Sequence, residues 1–210
     1  MQSRRILILY GTRYGQTAKI ARRLADMFTT WGDDVTRVNA EEVRSPIDVR
    51  LYDGVIIGAS VIRGRHQPTV RAFVRQNASA LNSMPSAFLS VSGSAASPDE
   101  RGRAEARRCI EKFLEQTRWR PAITEMIGGA MAYTKYGVVL RWIMKQIAKQ
   151  NGGPTDITRD HELTNWMQVE NFAARFQARI GLSASPVGEA TVGVSSKSSA
   201  DEDAAAVKSL

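Results

Sequence analysis

Arg4-Arg5-Ile6-Leu7-Ile8-Leu9-Tyr10-Gly11-Thr12-Arg13-Tyr14-Gly15-Gln16-Thr17 opens as an apolar run, stops at a glycine and leads through a loop of hydroxyls directly into a helical pattern. The apolar face of that pattern is Ile20, Ala21, Leu24, Ala25, Met27 and Phe28. A run such as Ile6 to Tyr10 reads as a parallel strand whose two faces are both covered by helices. The turn after it gathers free backbone N–H groups, glycine and threonine hydroxyls at a helix N-terminus, which favours an anion and above all a phosphate. The loop is neither Gly-x-Gly-x-x-Gly nor Gly-x4-Gly-Lys-Ser/Thr, so the dinucleotide and nucleoside-triphosphate fingerprints do not apply. Thr-x-x-Gly-x-Thr suits one terminal phosphate, as flavin mononucleotide (FMN) carries. The plain alternative is a strand-to-helix turn with a threonine cap.

Outward from this stretch the chain keeps alternating. Val35 to Val38 reads as a second strand, entered through Gly32-Asp33-Asp34, and Gly54 to Ser60 as a third. Pro68 opens a helix with Val70, Phe73, Val74 and Ala78 on its apolar side, as proline does at a first helical turn. Pro85 to Ser92 gives a fourth strand, 99–117 a helix, and Ile123 to Ala132 holds a fifth strand. A last helix, about 163–180, carries Trp166, Val169, Phe172, Ala173, Phe176 and Ile180. Five strands alternating with helices predict an α/β fold, a doubly wound five-stranded parallel sheet with right-handed crossovers. Ligands of such sheets sit at the C-terminal strand ends, beside the switch in strand order. Three loops expected there share small, hydroxylated residues: Thr12–Thr17, Ser60–Gly64 and Ser92–Ser97. Their agreement points to one cofactor pocket.

Composition narrows the class. At 210 residues the chain has room for one well-cored domain. Cys109 is the single cysteine, so no intrachain disulfide can form, and it reads as a buried filler. His66 and His161 are the only histidines, which leaves no zinc-type cluster, and no metal is expected. No apolar run reaches the ~20 residues of a membrane span, and the run after Arg4 and Arg5 is too short for a signal peptide, so a cytoplasmic protein is expected. From residue 182 the sequence turns to Ser, Ala, Gly and Pro and reads as a disordered tail, 182–210. That tail holds two lysines against four acids, a balance of −2, which leaves +10 on the remainder of a chain whose formal charge is +8. Such positive charge suits anionic lipid or an acidic small molecule. A nucleic-acid partner is not expected, because neither a helix-turn-helix pattern nor basic residues interleaved with aromatics are present.

The charge has a centre. No acidic residue occurs between Glu125 and Asp156, and within that gap 134–150 reads as an amphipathic helix. Tyr136, Leu140, Ile143, Met144, Ile147 and Ala148 gather on one side. Lys135, Arg141, Lys145 and Lys149 gather on the other, with Trp142 between them. A basic amphipathic helix bearing Trp and Tyr suits the interface of an anionic membrane. It could equally cover a hydrophobic substrate pocket, form a dimer contact, or lie on the core as an ordinary surface helix.

Gly11-Thr-Arg-Tyr-Gly-Gln-Thr17, Val55-Ile-Ile-Gly-Ala-Ser60, Leu81-Asn-Ser-Met-Pro-Ser-Ala-Phe88, Trp119-Arg-Pro121, Gly128-Gly-Ala130, Ile143-Met-Lys145, Gly152-Gly-x-Thr-Asp156 and Thr164-x-Trp166 together resemble one family. These are the flavodoxin-type, quinone-dependent protoporphyrinogen IX dehydrogenases of bacteria. The similarity covers about residues 4 to 181 and includes the segment before the last helix, which ordinary flavodoxins lack. It implies a flavodoxin-like domain over 1–181 with an insert at about 133–153. It further implies bound FMN, oxidation of protoporphyrinogen IX to protoporphyrin IX in haem synthesis, and electron delivery to a membrane quinone from the inner face of the cell membrane. By position, Thr12, Arg13, Tyr14, Gly15, Gln16 and Thr17 would hold the phosphate. Ser60, Val61, Ile62 and Arg63 would flank one side of the flavin ring, and Ser92, Gly93 and Ser94 the other. Lys135, Tyr136, Arg141, Trp142, Lys145 and Lys149 would serve membrane and quinone. The insert carries fewer aromatics than the family pattern, and the tail is additional.

In this reading no strong base is required of the protein. Arg63, Arg65 and His66 follow the third strand where the pocket mouth should lie. Arg63 or Arg65 is a candidate partner for substrate propionates, since guanidinium pairs carboxylate bidentately. His66, just ahead of Pro68, reads as a surface or capping residue before a proton shuttle. Two other readings share the fold: an FMN electron carrier or general quinone reductase, and a non-catalytic membrane-associated binding protein. Carriers of that kind are usually acidic, whereas this chain is basic.

Overall fold

A computed structural model of the chain describes residues 3–150 and 153–184. Its elements are β1 (Arg5–Gly11), α1 (Gln16–Thr30), β2 (Asp34–Asn39), β3 (Gly54–Ile62), β4 (Arg65–His66), α2 (Pro68–Asn82), β5 (Ser86–Ser92), α3 (Glu100–Thr117), β6 (Ile123–Gly128), β7 (Ala130–Met131), α4 (Val138–Gln150), β8 (His161–Glu162) and α5 (Trp166–Ala184). The main sheet runs β2-β1-β3-β5-β6, with parallel pairing throughout. Strand order reverses at β1, so the switch point lies between β1 and β3.

Alternation along β1 divides the core, because successive strand residues face opposite sides of a sheet. Ile6, Ile8 and Tyr10 pack with α1 and α5, through Leu24, Phe28, Phe172 and Phe176. Leu7 and Leu9 pack with α2 and α3, through Val70, Val74, Ile110 and Phe113. The fully buried Trp119 closes the second core and donates its indole N–H to Ser86 Oγ at 3.0 Å.

Four departures from the sequence-based expectations shape the site. First, the third strand runs on to Ile62, turns at Arg63 (φ 50°) and Gly64 (φ 72°), and returns as β4. Val61 pairs with His66 and Ile62 with Arg65. Two positive φ values in a two-residue loop are the mark of a type I′ hairpin, an unusual place for an arginine. Second, the fifth strand stops at Gly128, and β7 leaves it to pair with β8 as a separate two-stranded sheet.

Third, the helix expected over 134–150 begins only at Val138. Tyr133–Lys135 is a 3-10 turn, Tyr136 is extended at ψ 139°, and Gly137 separates it from α4. Lys135 and Tyr136 are therefore not on the basic helix. Asp160 decides this locally by accepting from both Thr134 N (2.9 Å) and Thr134 Oγ1 (2.8 Å), while Tyr136 Oη accepts from Ala132 N at 3.2 Å. Fourth, α5 starts later than residue 163, because Leu163 N and Thr164 Oγ1 bond to the carbonyls of Gly129 (2.9 Å) and Gly128 (2.7 Å). At its other end α5 reaches Ala184, past the expected start of the tail. Residues 185–210 lie outside the described residues, as do Gly152 of the sequence motif and the side chains of Leu140 and Ile147 on the expected helix face.

Candidate functional site

The C-terminal ends of β1, β3 and β5 surround a cleft of about 790 Å³, a size usual for a cofactor with its substrate. Of the residues expected at the cofactor, Thr12, Arg13, Tyr14, Gln16, Thr17, Ser60, Val61, Ile62, Arg63, Ser92 and Gly93 line it. Gly15 is not part of the lining. It caps α1 in the left-handed region (φ 98°), with its N–H bonded to Thr12 Oγ1 at 3.0 Å. Ser94 departs from expectation, sitting in the 3-10 turn Ser94–Ala96 and not in the cleft wall. Ser92 Oγ accepts from Ala95 N at 3.1 Å and so shapes that turn.

The loop before α1 fits a phosphate on its own geometry. Thr17 Oγ1 is buried and finds no hydrogen-bond partner, although it lines the cleft. A buried hydroxyl without a partner is costly unless a ligand completes it. The first turn of α1 holds no acidic residue to compete for the helix end. Gln16 is tied elsewhere, donating Nε2 to Thr164 Oγ1 at 2.8 Å, so its side chain braces the loop against the segment before α5.

Around the mouth stand Arg13, Arg63, Arg65 and Arg71, against Glu41 as the only acid of the lining. Neither Arg63 nor Arg65 has a side-chain partner among the described residues. Arg71 reaches Gln116 Oε1 at 3.3 Å. His66 corrects the surface reading. It is 5% exposed, bonds Ser90 Oγ through Nε2 at 2.9 Å, and packs against the rings of Phe88 and Phe113. Burial pushes its pKa down to about 4, so the imidazole is neutral at neutral pH and a poor proton acceptor.

The segment from Gly129 into α4 supplies the far wall through Gly129, Ala130, Met131, Tyr136 and Met144, of which Tyr136 and Met144 fall within the insert expected at about 133–153. Tyr136 is only 7% exposed and meets Tyr14 edge-on, with ring centroids 4.9 Å apart, so it faces the cofactor loop and not the exterior. Lys135 stays exposed and donates to Tyr14 O at 2.8 Å. Neither lies on α4, which carries the rest of the expected membrane-facing group. Arg141 donates to Tyr136 O at 3.2 Å. On the exterior of α4, Val138 (82% exposed), Val139, Trp142 (63%) and Ile143 lie bare, with Lys149 exposed and Lys145 half-buried. Ile143 thus joins Trp142, not the packed stripe. The wall at 129–131 has a signal in the sequence: Gly128-Gly129-Ala130 is a fourth run of small residues after a strand. Gln67, Arg71 and Glu41 have none.

Comparison with known proteins gives the fold and the site a family. A model described as "Flavodoxin domain" matches residues 7–158. The chain is 39% identical over 167 residues to the protoporphyrinogen IX dehydrogenase (quinone) of Escherichia coli K12, covering 80% of this chain and 91% of that protein. The Leishmania major protein of the same name is 33% identical over 183 residues, covering 84% and 76%. Among solved structures, oxidised Flavodoxin 1 from Bacillus cereus superposes with a TM-score of 0.50 at 12% identity, covering 83% of this chain and 97% of that one, a likeness of fold. A flavodoxin domain implies a flavin cofactor, and the unpartnered Thr17 hydroxyl at a glycine-capped helix end fits one. The chain belongs to the flavodoxin-domain family and, within it, to the protoporphyrinogen IX dehydrogenases (quinone).

Proposed function

We propose that this chain binds FMN in the cleft and oxidises protoporphyrinogen IX to protoporphyrin IX, passing the electrons to a membrane quinone. The observation behind this is the cleft itself: a phosphate cradle at one end, a cationic mouth at the other and an apolar wall from the insert, in a chain aligned along 91% of the Escherichia coli relative. The flavin supplies the chemistry by accepting the electrons that leave the porphyrinogen carbons. The chain's own residues bind and orient. The backbone around Gly15 and the Thr17 hydroxyl would hold the phosphate, while Ser60–Arg63 and Ser92–Gly93 would flank the ring. Met131, Tyr136 and Met144 close the insert side with apolar surface and keep water from the reacting face.

Arg63 and Arg65, without protein partners, meet the substrate's carboxylates at the mouth. Glu41 and His66 are the only carboxylate and imidazole of the lining, and His66 is held neutral. Pyrrole protons therefore leave to solvent or with the electrons. The bare apolar face of α4, flanked by Arg141, Lys145 and Lys149, supports seating at an anionic membrane on the cytoplasmic side, where the quinone lies. No helix among the described residues is long and apolar enough to cross a membrane.

Anaerobic assay of porphyrinogen oxidation with soluble quinone analogues tests the proposal. Quinone-dependent porphyrin formation by a yellow, flavin-loaded protein is expected. A colourless protein that ignores added FMN, or one that reduces only a protein partner, would remove it.

A further inference from the structure

Beside the main cleft lies a second cavity of about 140 Å³, and Arg65, His66 and Arg71 line both. Three separate elements build its rim: β4 brings Arg65, α2 brings Arg71, and α3 brings Lys112. No acidic residue lines it. Arg65 and Lys112 have no side-chain partner among the described residues, and Arg71 spends one N–H on Gln116 Oε1. The floor is different in kind. It is made by the Phe113 ring, the neutral imidazole of His66 and the thiol of Cys109, which burial keeps protonated. The turn above is pinned to α3, since Cys109 Sγ donates to Gly64 O at 3.6 Å.

We propose that this side cavity is the receptor for a substrate propionate, with Arg65, Arg71 and Lys112 holding the carboxylate and Phe113 and Cys109 the methylene stem. The inference rests on the porphyrinogen reading and deepens it. A short alkyl chain ending in one negative charge matches an uncharged floor under a rim of three cations. A guanidinium already oriented by Gln116 loses less entropy on pairing than a free one. Arg63 lines the main cleft and not this cavity, so it stays with the carboxylate at the mouth, while Arg65 serves the side cavity with its two partners from α2 and α3.

The test measures binding of protoporphyrin IX and of its dimethyl ester to the flavin-loaded protein by fluorescence quenching. The wild type should favour the diacid. Arg71→Gln and Lys112→Gln should each weaken diacid binding roughly 5- to 30-fold and leave the ester unchanged, so that the preference collapses. In turnover the same variants should raise KM for the porphyrinogen with kcat held, and their FMN affinity and Tm should match the wild type. Equal loss of diacid and ester, or no loss of either, overturns the subsite. A wild type that binds neither porphyrin while holding FMN removes the porphyrin reading itself, and the subsite with it.

Discussion

Thr17 and His66 are the two side chains whose environments say most. Thr17 Oγ1 is buried without a partner, which a phosphate oxygen would correct. Thr17→Val keeps the shape and removes the hydroxyl, so FMN affinity should fall on the order of tenfold while riboflavin affinity stays. Titration of flavin fluorescence decides it, and equal loss for both flavins would mean a packing role. His66 makes a pH prediction. Its folded pKa of about 4 lies below the ordinary 6.5, so between those values the unfolded chain binds the proton that the fold refuses. Stability should therefore be complete above about pH 6.5 and decline as pH falls toward about 4, by up to about 3 kcal/mol. Urea unfolding across that range should show a smaller decline in His66→Leu than in the wild type; parallel profiles would contradict the assignment.

Two elements extend the simple alternation of strand and helix, the β3–β4 hairpin and α4. The hairpin forces Arg63 to φ 50°, a region that costs an ordinary residue roughly 1–2 kcal/mol. Asparagine suits a type I′ turn, so Arg63→Asn should stabilise the fold by up to ~1 kcal/mol, seen as a raised Tm. A lower Tm would show that the turn holds Arg63 without strain. In α4 the bare surface at Val138, Val139, Trp142 and Ile143 is unlike any other helix face described here. Trp142→Ala with Lys145→Glu should abolish co-sedimentation with anionic liposomes and leave activity toward a soluble quinone intact. Sedimentation equal to wild type would assign the face to another partner.

Across the whole molecule the segments 135–136 and 162–164 are tied to the loop before α1 and to the first turn of that helix. Lys135 reaches Tyr14 O, Gln16 reaches Thr164, Lys19 pairs with Glu162, and Tyr14 packs on Tyr136. FMN at a hundredfold excess over its Kd should stabilise the fold by about 2.7 kcal/mol. Through these ties it should also slow hydrogen exchange at 130–136 as well as at 12–17. Protection confined to 12–17 would show that the insert is uncoupled from the cofactor.

The alternating strands and helices of the sheet and the three loops at its C-terminal edge were legible because they follow from local pattern, whereas the strand order was not. Apolar runs of strand length, helical periodicity and small residues after each strand are read within a few positions of one another. That is why the loops Thr12–Thr17, Ser60–Arg63 and Ser92–Gly93 can be read as neighbours of one cleft, whose lining includes all of them but Gly15. The insert's path was not legible, since no periodicity reports that Asp160 captures Thr134, or that Gly137 ends one turn before α4 starts another. His66 looked like a surface residue beside Pro68, and only its packing between Phe88 and Phe113 made it neutral and buried. Arg71 and Lys112 sit 41 residues apart on ordinary amphipathic helices, and nothing local distinguishes them from solvated cations. Sequence pattern thus set the fold and the loop before α1 that lines the cleft, because backbone propensity and burial act over short range. The mouth, the insert wall and the side cavity were set by contacts between residues far apart in the chain, which exist only once the elements have packed.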